Sequence, residues 1–93
     1  MAIGRHFIRQ LLSFMKVLFF AQSREAAGCD HYFLPVERPV TESEFWAALG
    51  DAFPGLASYR KTARLARRET YLQKGEWLNP DDEIAVIPPV SGG

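Results

Sequence analysis

One helix limits what this chain can fold into more than any other feature. Thr41-Glu42-Ser43-Glu44 is a capping box, in which the threonine hydroxyl can accept from the Glu44 amide while the Glu44 carboxylate reaches back. The helix it opens carries Phe45, Leu49 and Phe53 on one face, with Trp46 and Ala48 alongside, and Pro54-Gly55 stops it. It is the main helix of the chain, and an apolar face of this kind packs across one face of a sheet in an α+β domain. The expected partner is a sheet.

The strand signals agree. Val17 to Ala21 is an apolar run with the profile of a strand buried on both faces. Gln22 to Gly28 fits one or two helical turns with a glycine stop. His31 to Val36 reads as a second strand, closed off by Pro35 and Pro39. Leu56 to Ala63 fits a short helix or an irregular loop, and Leu65 to Leu72 reads as extended although it breaks strict alternation. Asn79-Pro80-Asp81-Asp82 is a turn signal, and Glu83 to Ile87 is a clear final strand. The order β-(α)-β-α-β-β makes an α+β domain with one main helix across one face of the sheet.

Composition narrows the function classes. At 93 residues the chain has room for one domain and little space for an enclosed active site. Eleven basic and eleven acidic side chains cancel, which removes the general electrostatic pull toward nucleic acid. A hydrophobic content of 47% is too high for disorder. A single cysteine forbids an intramolecular disulfide, and no apolar run approaches the ~20 residues a membrane span needs. The expectation is a cytoplasmic domain that binds neither membrane nor nucleic acid.

Residues 1–14 differ from the rest. They hold Arg5 and Arg9 and no acid, with Ile3, Phe7, Leu11 and Phe14 at helical spacing. A targeting peptide is one reading. The favoured one is a leader outside a domain that spans residues 15–87, followed by an extended tail at 88–93. Without Arg5 and Arg9, nine basic side chains face eleven acidic ones, so the domain itself is mildly acidic.

The tail reads Pro88-Pro89-Val90-Ser91-Gly92-Gly93. The proline pair fixes φ and holds the backbone extended, away from the body of the domain. The two glycines remove every side chain from the last positions. A slender carboxylate on a rigid spacer suits a narrow channel in another protein, although a plain stub would tolerate glycines too.

Two stretches carry a family resemblance. Near the start is Lys16-Val-Leu-Phe-Phe-Ala-Gln-Ser-Arg24-Glu25, with Gly28 just after; at the end is Asp82-Glu83-Ile-Ala-Val-Ile87 and the Pro-Pro-Val-Ser-Gly-Gly run. On these the chain resembles the MoaD family, the small sulfur-carrier subunits of molybdopterin synthase. The resemblance covers about Met15 to Gly93. It implies a ubiquitin-like β-grasp, with a mixed sheet packed against one main helix and a flexible C-terminal Gly-Gly tail. The middle departs from the family: an Ala-Val-Asn-type strand is replaced by Ala66-Arg67-Arg68-Glu69.

The resemblance also implies a chemistry. A terminal carboxylate ordinarily titrates at ~3.3–3.7, so at neutral pH it is anionic and a poor electrophile. An ATP-dependent adenylating enzyme would activate Gly93, and a sulfur donor protein would convert it to a thiocarboxylate. The tail would then enter the large synthase subunit and give its sulfur to a cyclic pyranopterin precursor. Gly93 is thus the covalent carrier, with no permanently bound cofactor, and the small subunit is no enzyme on its own. The implied assembly has two small and two large subunits. Other acceptors, in thiazole synthesis or tRNA thiolation, remain alternatives, as does a ubiquitin-like interaction module whose tail is never activated.

Gly92 must be small for passage, Pro88 and Pro89 set direction, and Val90 and Ser91 complete the threading segment. Ile87, together with Val90, fits an apolar docking patch at the tail's base, and for Ile87 burial in the core fits as well. Arg24 and Glu25 fit partner contact or solvation of the short helix. Arg60, Lys61, Arg64, Arg67 and Arg68 form a basic run that reads as a solvated face, with docking on an acidic partner and RNA binding as alternatives. Cys29, Asp30 and His31 offer two good ligands with no second cluster, too few for a metal site. Trp46 and Trp77 read as core or edge-packing residues.

Overall fold

The computed structural model describes residues 13–89. Five strands form one mixed sheet in the order β2-β1-β5-β3-β4: β1 Phe14–Phe19, β2 His31–Pro35, β3 Arg64–Arg67, β4 Thr70–Tyr71 and β5 Glu83–Ile87. Helix α1 (Gln22–Ala27) links β1 to β2, while α2 (Glu42–Ala52) and a 3-10 helix (Pro54–Tyr59) link β2 to β3. β1 and β5 lie parallel at the centre, with Lys16 opposite Glu83 and Phe19 opposite Val86; β2 and β3 flank them antiparallel. This is the β-grasp arrangement.

Alternation along the strands decides which face is covered. Met15, Val17 and Phe19 of β1 and Ile84 and Val86 of β5 are buried against Phe45, Trp46 and Leu49 of α2. Leu34, Leu56, Leu65 and Leu78 complete that core. Phe53, just past α2, stacks edge-on against Phe19 and Tyr32 with ring centroids 5.5 and 4.9 Å apart. The capping box forms as expected: Thr41 Oγ1 accepts from the Glu44 amide at 3.1 Å, and Glu44 Oε1 accepts from the Thr41 amide at 2.9 Å.

Three expectations are corrected. The first strand is not buried on both faces. Among the described residues helices cover one side of the sheet, and on the other Lys16 and Leu18 stay half-buried and Phe20 is 46% exposed. That strand also begins at Phe14 rather than at Val17: Phe14 pairs with Pro35, and the Ser13 carbonyl accepts from the Val36 amide at 3.2 Å. Residues 13 and 14 therefore belong to the fold, while residues 1–12 of the expected leader lie outside the described residues. At its other end the strand stops short of Ala21, which turns out of the sheet at φ 52°.

The Leu65–Leu72 stretch is the third case. It is a hairpin, not one extended segment. Arg68 and Glu69 form a two-residue turn with φ of 53° and 64°, the signs a primed hairpin turn demands, and this turn breaks the alternation. Such turns favour Asn-Gly because L side chains with a Cβ resist the left-handed region. On either side the hairpin is pinned. Arg64 stacks on the Tyr71 ring at 3.7 Å, and Arg67 bonds to Asp82 Oδ2 at 2.6 Å, Glu76 Oε1 at 2.7 Å and the Trp77 carbonyl at 2.9 Å.

Candidate functional site: the open sheet face below the tail

The uncovered face of the sheet is built by the outward residues of the same strands that make the core. Register places His31, Leu18, Ala85, Ala66 and Tyr71 side by side across all five strands. The two alanines, opposite each other on β3 and β5, leave room for a depression of about 380 Å³. Leu18, Phe20 and Ile87 give it apolar walls, and Arg68, Glu69 and Glu83 give it a charged rim.

Ile87 is half-buried on this face, directly below Pro88, so it belongs to the depression rather than to the core. Pro88 is buried and Pro89 exposed. The spacer therefore does not project from its first residue, because Pro88 still packs on the domain. Val90, Ser91, Gly92 and Gly93 lie outside the described residues.

A buried hydroxyl braces the root of the tail. Ser23 is fully buried; its Oγ donates to the Phe20 carbonyl at 2.6 Å and accepts from the Phe20 amide at 3.1 Å. That amide also points at the Val86 carbonyl, 3.3 Å away, and Val86 is two residues before Pro88. The end of β1, the start of α1 and the end of β5 are thus tied at one point. Ser23 lies inside the Lys16–Glu25 stretch that carries the resemblance, but the sequence assigned it no role. The only hint was a small polar residue one position past the first in a short helix after an apolar strand.

Arg24 and Glu25 are both exposed on α1. Arg24 borders a second, more polar hollow with Lys16, Asp30 and His31. There the His31 ring approaches Asp30 Oδ1 at 2.7 Å, and this hydrogen bond holds the Asp30 carboxyl below the usual carboxylate range. Glu25 does not line either hollow. Cys29 is partly buried against the core, and among the described residues no three His, Cys, Asp or Glu side chains converge as a metal site would require.

Arg60, Lys61, Arg64 and Arg68 of the basic run are exposed, as a solvated face requires, and Arg67 is the exception. Arg60 bonds to Ser43 Oγ at 2.7 Å and Arg64 lies on Tyr71. Arg67 is only 18% exposed, its charge spent on Asp82 and Glu76, which also hold its protonated form more firmly than usual. Lys61 and Arg68 are exposed. The two tryptophans part company as well: Trp46 is core, whereas Trp77 is 55% exposed beside Pro39 and Asn79.

Compared with known families, residues 17–93 match the ThiS family. The chain belongs to the ThiS family. Among curated relatives of this ThiS-family chain, the human molybdopterin synthase sulfur carrier subunit is 38% identical over 82 residues, covering 85% of this chain and 93% of the human protein. The Chlamydomonas reinhardtii protein of the same name is 38% identical over 81 residues, covering 85% of this chain and 98% of its own length. Among solved structures, SAMP1 from Haloferax volcanii superposes with a TM-score of 0.74 at 28% identity, over 86% of this chain and 99% of that one. A putative molybdopterin converting factor subunit 1 from Pyrococcus furiosus, at 21% identity and TM-score 0.70 over 83% of this chain and 98% of that one, shares the fold. The ubiquitin-like fold inferred from the two terminal motifs is therefore correct.

Proposed function

We propose that this chain is the sulfur-carrier subunit of molybdopterin synthase. The observation that carries the reading is the 38% identity to the human carrier subunit across 93% of that protein's length. The Pro-Pro-Val-Ser-Gly-Gly run falls inside the family match, which extends to residue 93.

In this reading Gly93 carries the sulfur. An ATP-dependent adenylating enzyme joins the Gly93 carboxylate to AMP and releases pyrophosphate. A sulfur donor protein then supplies sulfide-level sulfur, which displaces AMP and leaves a thiocarboxylate. The tail enters the large subunit, where that sulfur passes to a cyclic pyranopterin precursor and water restores the Gly93 carboxylate. The acids and bases of the transfer belong to the large subunit. Val90, Ser91 and Gly92 thread, while Pro88 and Pro89 set the direction from a root braced by Ser23. The apolar depression around Leu18, Phe20 and Ile87 docks the large subunit, supported by its exposure and its position next to the tail. Arg24 and Glu25 on α1 supply polar contacts at the margin of that interface. The reading extends to a cytoplasmic setting, in keeping with a single cysteine.

Intact-mass measurement tests it. After incubation with the adenylating enzyme, ATP and a sulfur donor, one C-terminal oxygen should be replaced by sulfur. Adding the large subunit and the pyranopterin precursor should return the original mass and form product. An unchanged mass, in a reaction that converts a control carrier, overturns the reading. Deleting Gly93 should abolish transfer yet leave binding to the large subunit largely intact.

A further inference from the structure

The turn between β3 and β4 holds two L residues in the left-handed region. Arg68 has φ 53° and Glu69 has φ 64°, where Asn-Gly would sit without resistance. Among the described residues neither side chain has a hydrogen-bond or ion-pair partner, and both are exposed; the side-chain bond that reaches the turn is a long one, Thr70 Oγ1 to the Arg68 carbonyl at 3.4 Å. The turn is also not free to relax, because Arg67 is clamped to Asp82 and Glu76 before it and Tyr71 lies under Arg64 after it. Unfavourable backbone held in place by its surroundings gathers at sites that do something other than fold.

Its position says what that is. Arg68 and Glu69 stand on the rim of the depression whose walls are Leu18, Phe20 and Ile87. An exposed cation that has no partner among the described residues, beside an apolar patch, is how interfaces select partners: the apolar floor supplies affinity and the rim charge rejects mismatched surfaces.

We propose that Arg68 is a specificity-determining residue of the docking face, held by the left-handed turn so that its guanidinium meets a carboxylate on the large subunit. Glu69 stands beside it as the negative charge that disfavours a second acidic group. The proposal rests on the reading of the open sheet face as the surface that docks the large subunit.

The test separates strain from binding. In an Arg68→Asn/Glu69→Gly variant the turn becomes one that the left-handed region favours, so the melting temperature should rise by roughly 5 °C. Affinity for the purified large subunit should instead fall about tenfold. Arg68→Glu should weaken binding further, and the salt dependence seen with the unaltered chain should shrink. Phe20→Ala, which removes an exposed wall of the depression, serves as the control and should weaken binding without altering the fold.

If Phe20→Ala weakens binding and the turn variants do not, the role of Arg68 is wrong while the docking face stands. If neither weakens binding, the docking face itself is wrong. A turn variant that loses both stability and affinity makes the turn a structural feature and overturns the proposal as well.

Discussion

Arg67 and Asp82 face each other at 2.6 Å, joining the end of β3 to the residue that precedes β5. Their side chains are 18% and 12% exposed, so both charges are largely removed from water. Glu76 and the Trp77 carbonyl take further guanidinium hydrogens, and Asp82 Oδ2 also accepts from the Asn79 amide at 2.8 Å. The residue that reads as part of a solvated basic run is the clasp for the loop that delivers the last strand.

Arg67→Ala should therefore destabilise the domain by about 2 kcal/mol, because it leaves two carboxylates without their cation. Urea unfolding checks this: the midpoint should fall with the slope unchanged. Arg68→Ala, one residue along and without an ion-pair partner among the described residues, should not destabilise the domain. Equal losses for the two would refute the clasp.

The capping box makes a prediction about acid. The Thr41 amide bonds to the Glu44 carboxylate and, with help from Arg38, holds its pKa below the ordinary 4.5. A group whose pKa is lowered by folding stabilises the fold above its unfolded value. That contribution fades as pH falls below about 4.5 toward the folded value. Glu44→Gln should thus flatten the acid limb of melting temperature against pH and leave the shape above pH 6 unchanged. Separately, Thr41→Ala should cost about 1 kcal/mol at neutral pH, read from chemical denaturation.

These features differ in how openly the sequence declares them. The capping box, the Pro-Gly stop and the final strand are local patterns, and each forms at the residues that encode it. The one-sided burial of β1 is hidden, because Leu18 and Phe20 on the open face are as apolar as Val17 and Phe19 on the core face. The Arg68–Glu69 turn is hidden for the opposite reason: it lacks the glycine or asparagine that announces a primed turn. The partners of Arg67 lie nine and fifteen residues away, beyond any local periodicity. The tail motif from Pro88 to Gly93 stands openly in the sequence, yet the depression next to its root becomes visible only once register sets Ala66 opposite Ala85.

Ser23 ties that face to the tail. Ser23→Ala removes the hydroxyl bound to both the amide and the carbonyl of Phe20, leaving the amide only its 3.3 Å approach to Val86. The expected loss is about 1–2 kcal/mol. Hydrogen exchange at the Phe20 amide should accelerate more than at core amides such as that of Val17. Uniform acceleration across the sheet would mean that Ser23 does not brace the tail's root in particular.

Leu18 and Leu49 allow fold and docking to be measured apart. Leu49 is fully buried beneath the sheet, whereas Leu18 is half-buried on its open side. Leu49→Ala opens a cavity in the core and should cost about 2–4 kcal/mol of stability. Its effect on large-subunit affinity should be small at temperatures where the variant remains folded. Leu18→Ser leaves no enclosed void and should cost under about 1 kcal/mol. It strips a wall from the depression next to Ile87, so affinity should fall about tenfold. Calorimetric melting and titration against the large subunit read the two effects on the same samples. If Leu18→Ser melts as early as Leu49→Ala yet binds normally, Leu18 is a core residue and the open face is not where the partner docks.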